Sequence, residues 1–531
     1  NNIEGEAWAL LRATDPETTD PNYGDYHFGL DPATVLPDAA RALKPRTFMP
    51  VRVKALAGTN WVRAWGDYNI YPWQMTVTPE DTILLSVEYG SPRNDLDPAG
   101  CLQPGPTVDG SDNAVLELDA DGNLLRRWTW SGLATQVPGA AVRDAAGNTY
   151  CLFTFQHGGA NYLNATLDLD PGLGEDLRTG KNAQDVLVKL DAAGNYVWGK
   201  NFGGGYWIGV TGWVPSGHPK GLILGPEGNL YCSFHFGNYF DMDPGPGEAL
   251  LEGDDSEDCA VAFDNDGNFL WGFGGGDIGL IPQAAMLPSG HVVYGGSFTR
   301  DDCDFDPGPA ELNLESGANE ASFLIEYSPT GTPSNIRNWY GPVTGSAGVT
   351  SVVVTGTDRT VVAGEFQIQM DFDPGPGMAI ETSSVASSLP YLSSFASDGT
   401  FEWVRVMRPP SGADGAYFAG PQIVGDPTGG VTLFDQAEVN DLDIDPGPAE
   451  VLVTASQTFW CRFNANGTFD WGRTPDGEWN ASKIARLSDG KLVTSWQIYS
   501  FEPTQYFDAT HSYTRTAGGL AVLRLNADGT W

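Results

Sequence analysis

Long apolar runs are missing from these 531 residues. No stretch approaches the roughly 20 residues that a membrane-spanning helix needs, so a helical span is excluded. Basic residues are scarce: 28 Lys and Arg stand against 68 Asp and Glu, a formal net charge of −40, with only 8 lysines. Nucleic-acid binding depends on clustered Lys and Arg and is set aside. The six cysteines show no metal-ligand spacing and no dense disulfide framework. Cys151 and Cys232 fall at one place in successive repeats, as roughly do Cys259 and Cys461, while Cys101 and Cys303 lie near a loop motif described below; no bridge is predicted. The six histidines, at 27, 157, 218, 235, 291 and 511, form no HExxH pair and read as isolated core or surface residues. There is no G-x-S-x-G elbow, and the glycine runs at 201–207 and 273–277 end strands rather than open helices, which argues against phosphate cradling. No catalytic residue is singled out, although 68 acids leave room for a carboxylate pair at the roughly 5 to 10 Å that glycoside hydrolysis requires.

What is abundant is turn and core material: 67 Gly, 37 Pro, 17 Trp and 41% hydrophobic residues. Its arrangement is periodic. Asp-x-Asp-Pro occurs at Asp95/Asp97, Asp168/Asp170, Asp241/Asp243, Asp304/Asp306, Asp371/Asp373 and Asp443/Asp445, at intervals of 73, 73, 63, 67 and 72 residues. Each unit carries four short β-forming segments, with D-A-A-G-N, D-N-D-G-N or N-A-N-G-T turns between the last two. Four strands in about 70 residues is the pattern of a propeller blade.

With strands labelled a to d from the centre outwards, blade 2 has b near 150–156, c at 185–190 and d at 196–202. Trp198, Trp271, Trp403 and Trp471 recur at the start of d, with Trp128 and Trp339 a few residues off register, and read as inter-blade packing. The C-terminal segment supplies a, b and c of a seventh blade at 482–488, 491–500 and 519–526; the segment 58–67 matches 399–408 and 467–476 and supplies its d strand. The prediction is an all-β, seven-bladed propeller over 61–531, closed by an N-terminal strand, with a mostly irregular 1–60 extension that holds possible helices at 6–12 and 39–43.

The unit DVLVKLDAAGNYVWGKNFGG (185–204), with its DLDPG and DFDPGPG elements, resembles the bacterial secreted β-propeller repeat. The resemblance covers about 470 of the 531 residues and implies an extracellular or cell-surface setting. The chain begins at Asn1, read as a processed start.

Residues i and i+2 of an extended segment point to one side, so the paired carboxylates of each Asp-x-Asp-Pro-Gly loop suit a hard cation, and calcium is the candidate cofactor. Asp302 and Asp441 extend two of the copies to a third acid. The competing reading has the carboxylates bonding the turn's own N–H groups. The longest connection from one blade to the next, 201–220, displays Tyr206, Trp207 and Trp213, which either stack on a ligand or pack on the loop itself. The expected function is a non-catalytic interaction scaffold with protein partners in an extracellular assembly. Carbohydrate binding and polysaccharide lysis or hydrolysis are the alternatives.

Overall fold

The computed structural model describes residues 60–530 apart from loops at 66–69, 91–95, 97–110, 158–163, 204–217, 410–416, 475–479 and 499–503 and shorter breaks of one to four residues, together with 6–7 and 53–54. Every described regular element is a strand. Seven antiparallel sheets follow one another around a ring as the blades of a β-propeller.

In blade 1 the order a to d is Ile70–Val77, Ile83–Tyr89, Asp112–Leu118 and Leu124–Trp130. Blade 2 follows with Ala134–Arg143, Thr149–His157, Gln184–Leu190 and Tyr196–Phe202, and blade 3 with His218–Leu224, Leu230–Phe236, Glu257–Phe263 and Phe269–Gly274. Blades 4, 5 and 6 repeat the pattern, the innermost strand being split in two in blades 4 and 6. Blade 7 takes a, b and c from Asn480–Arg486, Leu492–Ile498 and Gly519–Leu525. Its outermost strand is Trp61–Trp65, running from Trp61 opposite Arg524 to Trp65 opposite Leu520. The expected closure is therefore present, and it pairs an edge that would otherwise be open. Glu6–Ala7, the first two residues of the possible helix at 6–12, instead pair antiparallel with Val53–Lys54, and 8–12 lie outside the described residues. The proposed helix at 39–43 lies outside the described residues.

The described core divides into seven clusters, each lying between two neighbouring blades. A blade is a thin sheet with both faces covered by its neighbours. Strand c of blades 1, 3, 4, 5 and 7 is accordingly buried at every position instead of alternating in and out.

The recurrent tryptophans hold these interfaces. The indole N–H of Trp61, Trp128, Trp271 and Trp403 donates to a carbonyl in the c–d turn of the next blade, at 2.9 to 3.1 Å. The two of these turns that read D-x-x-G-N, at 119–123 and 191–195, are braced by their first Asp, which accepts two backbone N–H groups and the Asn amide, as Asp191 does from Ala193, Asn195 and the Asn195 side chain. Trp128 sits two residues farther along its strand and still reaches Gly194. In blade 4 Arg337 takes this place, 5.4 Å from the Phe395 ring centre, and Trp339 is buried beside the same ring.

Candidate functional site

The Asp-x-Asp-Pro-Gly loops lie between strands b and c, as expected, and five of the six are described at both acids. In each, the first carboxylate clasps the loop from both sides. Asp168 Oδ1 accepts the N–H of Asp170 at 3.1 Å and of Asp176 at 2.8 Å; Asp241, Asp304, Asp371 and Asp443 repeat this with the residues two and eight positions on. The second carboxylate closes the Pro-Gly turn: Asp170, Asp243, Asp306, Asp373 and Asp445 accept from the following Gly N–H at 2.7 to 2.8 Å. Asp95 and Asp97 lie outside the described residues.

The residue between the acids is a plug. Leu96, Leu169, Met242, Phe305, Phe372 and Ile444 are all buried, and each enters a different inter-blade cluster. The seventh cluster, between blades 6 and 7, is filled by Phe434, Trp460 and Trp496. A glycine beside Trp on strand d makes room for the plug in three blades. A methyl at Gly199 would stand 2.7 Å from Leu169 and one at Gly472 2.6 Å from Ile444, and Gly272 likewise faces Met242. The sequence carried this signal as the recurring Trp-Gly pair.

Calcium takes six to eight oxygens, and among the described residues no three acids, His or Cys gather closely enough to hold a metal. Asp302, anticipated as a third ligand, instead pairs through both oxygens with Arg300 at 2.7 to 2.9 Å. Asp441 lies outside the described residues, as do Tyr206, Trp207 and Trp213.

These loops also present a surface. Beyond the acids the b–c connection forms a short hairpin in most blades, such as Asn164–Asp168 with Leu177–Lys181 and Tyr239–Asp241 with Leu250–Glu252. Thirteen large apolar side chains are exposed among the described residues, and eight of them lie in the b–c connections: Leu173, Leu177, Tyr239, Leu250, Ile368, Met378, Ile380 and Leu452. Acids lie next to them along the chain, including Glu175, Glu248, Glu252, Glu381 and Glu450. The blade 5 hairpin also walls an open groove of about 730 Å³, shared with strand d of that blade and the c–d turn of blade 6.

Sequence reasoning missed one polar constellation on the inner strands of blade 3. Asp258 is fully buried and accepts from Lys220 Nζ at 2.6 Å and the Ile281 N–H at 2.6 Å, with His235 Nδ1 at 2.9 Å from its other oxygen. His235 is thus no isolated histidine. Three strands and the link into blade 4 bring these groups together from 23 to 38 positions apart, which explains why no local motif announces them. The five described cysteines are free and buried.

No family model matches the chain, and no curated protein does. Solved structures with a similar fold include a catalytically inactive virginiamycin B lyase from Staphylococcus aureus with quinupristin, at 8% identity over 88% of this chain and 99% of that one, TM-score 0.36. An ulvan lyase bound to its saccharide matches at 10% identity over 88% and 96%, TM-score 0.44. A protein of unknown function from Dyadobacter fermentans matches at 11% over 74% and 95%, TM-score 0.33. The likeness ends at the fold.

Proposed function

We propose that this chain is an extracellular or cell-surface scaffold that docks a protein partner on the rim formed by its b–c hairpins. The carrying observation is the concentration of exposed apolar side chains on those hairpins, eight of thirteen. Scattered exposed apolar groups need no explanation, whereas their gathering on one structural element marks an interaction surface. The hairpins are held by the Asp clasps, so little ordering entropy is lost on binding. With acids next to the apolar residues along the chain and −40 overall, the complementary partner is a cationic surface with apolar anchors.

The test identifies a partner by cross-linking on native cells and then measures its purified affinity for the parent chain and for the combined Leu173→Asp, Leu250→Asp, Met378→Asp variant. Binding that weakens at least tenfold in the variant and falls with added salt supports the reading. Unchanged affinity, or an acidic partner, overturns it.

A second reading, processing of acidic polysaccharide, is favoured by the blade 3 constellation. There a buried carboxylate orients an imidazole beside a lysine, the components of proton abstraction with charge neutralisation. Product release from polyuronates that disappears in His235→Ala would support it, and the absence of any release by the parent would remove it.

A further inference from the structure

The inner strands of blade 7 carry polar atoms that the fold leaves unused. Lys483 lies directly opposite Ser495 across the a–b ladder, and Gln497 follows two residues on, so all three side chains share one face. Val493, the preceding residue on that face, belongs to the core between blades 7 and 1, so the face looks toward the seam where the ring closes. Ser495 and Gln497 are buried, at 0% and 6% exposure. Among the described residues the Ser495 hydroxyl and both amide atoms of Gln497 have no hydrogen-bond partner. Lys483 is half-buried on the innermost strand, and its ammonium is bonded to no carboxylate among the described residues. Burial depresses it to about 8, and no acid among the described residues counteracts that.

Each buried unsatisfied polar group costs about 1–3 kcal/mol, and an uncompensated lysine costs more. In a chain with 68 acids the missing counter-charge is conspicuous. Elsewhere among the described residues Lys220 and Lys491 each meet an Asp. The donors here are an ammonium, a hydroxyl and an amide NH₂, and the amide oxygen is left as an acceptor. Three donors suit a carboxylate, and the acceptor suits a hydroxyl on the same molecule.

We propose that Lys483, Ser495 and Gln497 form a binding site for a small hydroxy-carboxylate at the blade 7–blade 1 seam. The ammonium and amide NH₂ hold the carboxylate, Ser495 donates to it, and Gln497 Oε1 accepts from the ligand's hydroxyl. The site is independent of the rim and of any catalytic role.

The full chain is reductively methylated with ¹³C-formaldehyde and its lysines are titrated by NMR with sodium lactate, sodium acetate, glycerol or sodium chloride at equal ionic strength. Lactate should raise the titration of the lysine near pH 8 by about one unit or more, equivalent to a tenfold or greater coupling. Acetate should do less, and glycerol and chloride nothing. Lactate affinity should fall about tenfold per pH unit above the free lysine's midpoint, because only the ammonium binds. Lys483→Met should remove that resonance. Gln497→Glu supplies an internal carboxylate, so it should raise the lysine's titration without ligand and abolish the lactate response. The proposal fails if neither carboxylate gives a saturable shift, or if chloride reproduces it. It fails equally if the lactate response survives Gln497→Glu, a variant that keeps side-chain size and remains informative should Lys483→Met not fold.

Discussion

Trp271 of blade 3 donates its indole N–H to the carbonyl of Pro329 in blade 4 at 3.0 Å, and its ring lies over Gly331 of the same turn, whose φ is +82°. A methyl group at Gly331 would stand 2.7 Å from the indole. The latch needs a residue that accepts the left-handed region and has no side chain at all.

Gly331→Ala should therefore destabilise the protein by about 2–4 kcal/mol, combining the left-handed penalty with an overpacked contact. Trp271→Phe keeps most of the apolar contact and loses the hydrogen bond, for about 1 kcal/mol plus the smaller ring. Denaturant unfolding of both variants checks the order. A neutral Gly331→Ala would mean that the turn yields and the interface does not depend on it.

Ring closure makes a second expectation. Removing residues 1–67 takes away Trp61–Trp65 and leaves Leu520 to Arg524 without the partners they have in the closed ring. An exposed flat edge then invites pairing between chains. Light scattering should show aggregation, or calorimetry a large loss of stability. A monomeric truncation that melts like the parent would show that blade 7 stands on three strands.

The strand repeat and its closure were legible because both rest on local pattern: turn signals at fixed offsets and a segment matching the d strands of other blades. The Asp loops were half legible. That the residue between the acids turns inward follows from extended geometry, and Leu169 and Met242 obey it. The clasp from Asp168 to Asp176, eight positions on, depends on the loop's return path, which alternation does not encode. The Asp258 constellation was illegible. Lys220 is an extra residue in a bulged strand, between Pro219 and Gly221 in the register, and a bulge re-aims a side chain in a way that periodicity misses.

Stability should fall as pH rises through the neutral range. Burial pushes Asp185 up to about 8, only partly offset by the hydrogen bond from Thr154, and pushes Asp112 up to about 7. Both sit far above the roughly 3.9 of an unfolded Asp. The native state then holds protons that the unfolded state has released, so each group costs up to about 1.4 kcal/mol per pH unit between pH 4 and its folded value. Melting temperature should be higher at pH 5 than at pH 8.5, and Asp185→Asn should flatten the upper part of that slope. A parent profile that rises toward pH 8 would show that Asp185 is ionised in the fold.

The last expectation separates the two readings of the Asp-x-Asp-Pro-Gly loops at one site. Asp371 Oδ1 accepts from Asp373 and Ala379, and Asp373 Oδ1 from Gly375. An Asn keeps an acceptor oxygen at each place and loses the charge. If the carboxylates act as clasps, Asp371→Asn with Asp373→Asn should change stability by less than about 1 kcal/mol, whereas Asp371→Ala orphans two N–H groups and should cost about 1–3 kcal/mol. If the pair instead held calcium, the double Asn variant would lose one bound ion of up to six, and chelator would lower the parent's melting temperature through the lost binding energy. Blade 7 is the internal control, since Asp508 is followed by Ala509 and Thr510 in place of the second acid and its Pro-Gly turn. The clasp geometry leads us to expect a melting temperature indifferent to chelator and a destabilised Asp371→Ala. Metal analysis that finds several calcium ions per chain, one of them lost in the double Asn variant, would return the loops to the cation reading.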